Sequence, residues 1–76
     1  MMQMNSAQQL DRVFHALSDS TRRAILRQIA KGERSVSEIA KPFDLTFAAV
    51  SKHLKVLETA ELIGRRRQGS FQMISL

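Results

Sequence analysis

The stretch Thr46-Phe47-Ala48-Ala49-Val50-Ser51-Lys52-His53-Leu54-Lys55-Val56-Leu57-Glu58-Thr59-Ala60 decides how the rest of the chain is read. Val50, Leu54 and Leu57 fall on one stripe of a helix spanning about Phe47 to Ala60, with Thr46 as its N-cap. The opposite face carries Ala48, Ser51, Lys52, Lys55 and Thr59, with no acid until Glu58. Small, polar and basic side chains suit a helix that enters a DNA groove. Bulk would hold such a helix off the bases, and acids would be repelled by phosphate.

Working upstream, Ser35-Val36-Ser37-Glu38 is a capping box. The Ser35 hydroxyl accepts from the amide three residues on, and Glu38 reaches back to the Ser35 amide. A short helix therefore starts there with Val36, Ile39 and Ala40 inward, and Pro42 ends or distorts it. Two short helices joined through Phe43-Asp44-Leu45 suggest a helix-turn-helix. Before them, Asp19 caps a helix running to about Lys31, with Ile25, Leu26 and Ile29 inward and Gly32 as its stop. A first helix covers about Ala7 to Leu17, where Leu10, Val13, Phe14 and Leu17 form an apolar stripe.

Downstream, Arg65-Arg66-Arg67 and Phe71 to Leu76 flank Gln68-Gly69, read as a tight turn. Phe71, Met73, Ile74 and Leu76 supply apolar positions on the returning strand. The expected fold is mainly α with a small β-hairpin: a winged helix-turn-helix of about four helices plus a two-stranded wing. Residues 1–76 read as a single domain, with 1–6 as a flexible arm.

Composition narrows the function classes. In 76 residues, 12 Lys+Arg against 7 Asp+Glu leave a net charge of +5, which favours DNA, RNA or an anionic membrane as partner. Four Phe without Trp or Tyr offer few stacking platforms for single strands. A chain this short buries only roughly 60% of its unfolded surface, so a partner subunit is a natural source of stability. The absence of cysteine removes disulfides, thiolate metal sites and cysteine nucleophiles. Met1 to Leu10 lacks the apolar core of a signal peptide, and no apolar run could span a bilayer. A soluble, cytoplasmic protein is expected. With no glycine-rich phosphate loop and little room for a substrate pocket, it reads as neither an enzyme nor a cofactor carrier.

The candidate DNA-binding residues are Phe47, Ala48, Ser51, Lys52, Lys55, Arg65, Arg66 and Arg67, with Thr46 and Arg22 as weaker backbone candidates. Lys52 can donate to guanine O6/N7 or to phosphate, and Lys55 is placed for phosphate. Phe47 either meets a thymine methyl or closes over the domain's own core. Strand alternation sends Arg65 and Arg67 to one side and Arg66 to the other. Arg22 and Arg23 open the second helix, where a salt bridge to Asp19 or Asp11 competes with a DNA contact. His53 has no second metal ligand at helical spacing. His15, with Asp11 and Asp19 four residues to either side, could form a cation site only in a dimer interface.

From Phe14 to Leu76 the chain resembles the ArsR-type winged-helix regulators of bacteria. The likeness rests on Ala16-Leu17-Ser18-Asp19-Ser20-Thr21-Arg22-Arg23-Ala24-Ile25-Leu26, on Ser37-Glu38-Ile39-Ala40, on Ala49-Val50-Ser51-Lys52-His53-Leu54-Lys55-Val56-Leu57-Glu58, and on Leu62-Ile63 at the start of the wing. The resemblance implies a homodimer that binds a palindromic double-stranded DNA operator and represses transcription. The alternative is a protein-interaction module that uses the same face on an acidic partner. Four departures stand out. Ser35 and Ser37 occupy positions where metal sensors of the family carry cysteines. The chain ends at the wing, before the helix that holds other metal ligands. Dimerisation would then rest on the first helix, unless the chain is a fragment. Glu61 stands where the family has glycine, and a positive φ there would strain it by about 1 kcal/mol.

Overall fold

In a computed structural model that describes residues 6–76, the chain folds as α1 (Ser6–Leu17), α2 (Ser20–Ala30), β1 (Arg34–Ser35), α3 (Val36–Ala40), α4 (Phe47–Thr59), β2 (Gly64–Gln68) and β3 (Phe71–Ser75). Most of the expected arm lies outside the described residues; Ser6 already belongs to α1.

The helix starts are set by their caps. The Asp19 carboxylate accepts the Arg22 amide at 2.9 Å at the start of α2. Both halves of the capping box form: the Glu38 amide donates to Ser35 Oγ at 3.2 Å, and the Ser35 amide donates to Glu38 Oε1 at 2.9 Å. Thr46 Oγ1 accepts the Ala49 amide at 3.1 Å and opens α4. The far end of α4 closes in a Schellman arrangement. The Glu61 amide donates to the Glu58 carbonyl and the Leu62 amide to the Leu57 carbonyl, at 2.9 and 3.0 Å. This closure puts Glu61 at φ +61°, in the left-handed region that favours glycine.

Ile25 and Ile29 of α2, Ile39 of α3, and Val50, Leu54 and Leu57 of α4 make the centre of the core. Val36, Ala60, Ile63 and Ile74 extend it, with Phe43 and Leu26 packed at its edge. The inward stripe expected of α4 is the one observed.

Three sequence expectations change. The wing is not a two-stranded hairpin alone. β1 pairs antiparallel with β3 (Arg34 opposite Ile74, Ser35 opposite Met73), giving a three-stranded sheet of order β1-β3-β2. The turn sits one residue later than expected, because Gln68 still pairs with Phe71. Gly69, at φ +60°, takes the first central position, where a type II′ turn asks for glycine. On α1, the one fully buried side chain is Ala16; Leu10 and Phe14 of the apolar stripe are 54% and 63% exposed. The stripe exists but points away from this chain's own core. On β3 only Ile74 is fully buried, while Phe71 and, just beyond the strand, Leu76 are exposed.

Candidate nucleic-acid interface

The face of α4 opposite Val50, Leu54 and Leu57 presents Phe47, Ala48, Lys52 and Lys55 to solvent, with Ser51 half-buried beside them. Phe47 is 63% exposed, which removes the reading of it as a lid on the core. Thr46 is exposed, and its hydroxyl oxygen is already engaged as the α4 cap. Among the described residues, Lys52 and Lys55 have no acidic partner, so their ammonium groups are available to an outside anion.

The three wing arginines are not equivalent. Arg65 stands opposite Ile74 and Arg67 opposite Gln72, so both share the face that carries buried Ile74. Arg65 reaches the end of α4, with Nε 3.4 Å from Glu58 Oε2, and also donates to Gln72 Oε1. Arg66 points the other way. Its guanidinium grips both oxygens of Glu33 and also donates to Gln68. The hydrogen bonds to Glu33 raise the Arg66 pKa above its ordinary value. Arg67 donates only to the Gly69 carbonyl, at 3.3 Å, and has no acidic partner among the described residues. Of the three, Arg67 has its charge least committed.

Arg22 leaves the candidate set. It is 8% exposed, and its guanidinium donates to the Ala16 and His15 carbonyls at 2.8 and 2.9 Å. Those carbonyls belong to the last turn of α1, whose orphan acceptors need donors. The expected ion pair with Asp19 or Asp11 is not what holds Arg22. Asp19 receives its backbone amide instead, and that hydrogen bond holds the Asp19 carboxyl below the usual range. Asp19 faces His53, not His15, with 3.8 Å from Oδ2 to Nδ1, so the considered His15 cation site is not drawn together within this chain. Arg23 remains exposed and donates to the Leu17 carbonyl.

Two participants were not assigned from the sequence. Glu33, which neutralises Arg66, is 33 residues away along the chain, and no local pattern links them. Phe71 is 57% exposed at the wing turn and lines the same groove as Phe47 and Ser51. The exposure of Phe71 could have been suspected from the imperfect alternation of β3. Among the described residues, no three His, Cys, Asp or Glu side chains gather to hold a metal ion, and no helix is long and apolar enough to cross a membrane.

Residues 19–64 match the family described as bacterial regulatory protein, arsR family. The chain is 41% identical over 73 residues to the HTH-type transcriptional regulator Rv2034 of Mycobacterium tuberculosis, a match covering 96% of this chain and 68% of that protein. It is 39% identical over 67 residues to the transcriptional repressor SdpR of Bacillus subtilis, covering 88% and 74%. A crystal structure of an ArsR family transcriptional regulator superimposes with a TM-score of 0.86 at 40% identity, over 90% of this chain and 75% of that one. The solution structure of a homodimeric winged helix-turn-helix DNA-binding domain from Mycobacterium bovis gives a TM-score of 0.86 at 30% identity, over 100% of this chain and 75% of that one.

Proposed function

The chain belongs to the arsR family of bacterial transcriptional regulators, whose winged helix-turn-helix binds DNA and is not an enzyme, and from this premise we propose that it is a homodimeric repressor acting on a palindromic operator. The observation that carries the reading is the unpaired basic face of α4: Lys52 and Lys55 stand free of acids beside small Ala48 and Ser51. In the proposed complex α4 lies in the major groove. Lys52 meets base edges, Lys55 and Arg67 meet phosphates, and Ala48 near the helix start meets apolar base surface. Arg65 and Arg66 flank this contact from the wing, held by Glu58 and Glu33.

The proposed dimer forms through α1, where Leu10 and Phe14 leave an apolar stripe exposed. A homodimeric structure of the same fold supports dimerisation as such, and the repressor named among the relatives supports the direction of regulation. Two symmetric α4 helices would then read half-sites about one helical turn apart, and cytoplasmic DNA is the target. A dimer that neutralises roughly 6–10 phosphates loses about 10³–10⁵ in affinity between 50 and 200 mM salt.

The test is selection of genomic binding sites with the purified protein, combined with its mass in solution. A palindromic site and a dimeric mass are expected. Failure to bind any duplex at low salt would overturn the reading and favour an acidic protein as the partner of α4.

A further inference from the structure

Between α4 and the wing lies an open groove of about 360 Å³. Phe47 stands in it from the start of α4 and Phe71 from the wing, and no acidic side chain among the described residues lines it. Both rings are more than half exposed, at 63% and 57%. Ser37, Ser51 and Ser70 add hydroxyl groups, and Arg65 adds guanidinium N–H donors, its charge already paired with Glu58. The groove therefore offers two apolar faces with hydroxyl and guanidinium donors, open to solvent.

We propose that this groove seats one sugar–phosphate strand of the DNA, with Phe47 and Phe71 packed on the apolar faces of its deoxyriboses, which makes Phe71 a DNA-contact residue. The proposal rests on the DNA-binding reading and deepens it. A helix in the major groove and a wing beside it leave one backbone strand to pass between them. That strand alternates phosphate oxygens with C–H-rich sugar rings. Serine hydroxyls and Arg65 complement the phosphates; the phenyl rings complement the sugars. An acidic peptide would also match those donors, but it does not present that repeat of charge and apolar ring.

This contact has a signature that the lysines and arginines lack. Losing a phenyl ring removes apolar contact without removing a cation, so affinity falls while the salt slope stays the same. Phe71→Ala is expected to weaken duplex binding by about tenfold, since a partly exposed ring that becomes covered contributes on that scale. Phe71→Leu is expected to recover most of the loss. As Phe71 lies outside the core, both variants should melt like the parent.

The experiment uses the whole chain with ring-labelled phenylalanine and isotope-labelled backbone amides, titrated by NMR with a mixed-sequence duplex of about 20 base pairs at low salt, where sequence-independent binding is strongest. All four rings are visible at once. Those of Phe47 and Phe71 should shift, while that of Phe43, packed on the core, should not. If α4 amide signals move but the Phe71 ring does not, the strand seat is wrong and the DNA reading survives. If no signal moves, the DNA reading itself has failed. If the Phe47 and Phe71 rings respond to protein concentration instead of DNA, the groove is a contact between copies, and the proposal is overturned.

Discussion

The Arg22 guanidinium lies 3.2 Å from Nδ1 of His53, tying α4 to the corner between α1 and α2. A guanidinium can only donate, so Nδ1 is the acceptor in this contact. The same guanidinium satisfies two carbonyls at the end of α1. Arg22 thus ties α4 to the end of α1. Arg22→Ala should cost about 2–3 kcal/mol in urea unfolding, the scale of a hydrogen bond to a charged group whose buried acceptor, the Ala16 carbonyl, is left bare. Arg22→Lys should recover little, because an ammonium cannot span the planar fork of acceptors. Unchanged stability in both variants would contradict the clamp.

Acid should loosen the same corner through Asp19. Its carboxyl is held below the usual carboxylate range, chiefly by the Arg22 amide. A depressed folded pKa means stability that is present above the unfolded value, about pH 4, and lost as pH falls through the folded value. Thermal melts should therefore be flat with respect to Asp19 from pH 5 to 8 and decline below pH 4. Asp19→Ala should lower stability by about 1 kcal/mol near neutral pH through loss of the cap. It should also reduce the acid-dependent part of the decline. A variant that keeps the full acid dependence would assign that dependence to other carboxylates.

Glu61 stores strain where glycine would carry none. Its φ of +61° is imposed by the Schellman closure of α4, and its side chain is exposed. Glu61→Gly should relieve about 1 kcal/mol of backbone strain, offset in part by the greater freedom of glycine in the unfolded chain. A net gain near 0.5 kcal/mol would raise Tm by about 2–4 °C for a domain of this size. A lower Tm would mean that the Glu61 side chain contributes more than its backbone costs.

What the sequence made legible was local chemistry. Asp19, Ser35, Glu38 and Thr46 bond to amides three residues away or fewer, so their roles follow from spacing alone. The stripe of Val50, Leu54 and Leu57 was legible for the same reason. Leu10 and Phe14 show the limit of such patterns: periodicity reveals an apolar face but not whether this chain covers it. β1 has two residues, too few for any alternation, so a third strand left no trace. The site divides in the same way. Lys52 and Lys55 followed from their place on one helix. The difference between Arg66 and Arg67 depends on Glu33, which only the folded chain brings near.

The exposed α1 stripe gives the dimer its own test. Phe14→Glu places a charge on a surface that is 63% exposed in the single chain, so the isolated fold should tolerate it. In a dimer closed through α1 the same charge would be buried twice without a partner, which is strongly unfavourable. Sedimentation should show the parent as a dimer and the variant as a monomer with similar helical content. Operator affinity should fall steeply, because the two half-sites would be bound independently. A variant that remains dimeric would move the interface away from α1.

The wing arginines predict different salt responses, although they are adjacent in sequence. Arg66 already neutralises Glu33 in a two-toothed contact, so a phosphate would have to compete with a carboxylate for it. Arg67 has only a carbonyl partner. Removing a side chain that neutralises a phosphate lowers the slope of log affinity against log salt by about 1. Arg67→Ala should therefore flatten the slope by about 1 per subunit and weaken binding alike on specific and nonspecific DNA. Arg66→Ala should leave the slope nearly unchanged while releasing Glu33, whose freed charge would repel the backbone modestly. Lys52→Ala separates from both if Lys52 reads a base: it costs about 1–3 kcal/mol and relaxes preference at a single base pair. Equal slope changes for Arg66 and Arg67 would show that the Glu33 contact opens on binding DNA. In that case the wing would deliver both arginines to phosphate.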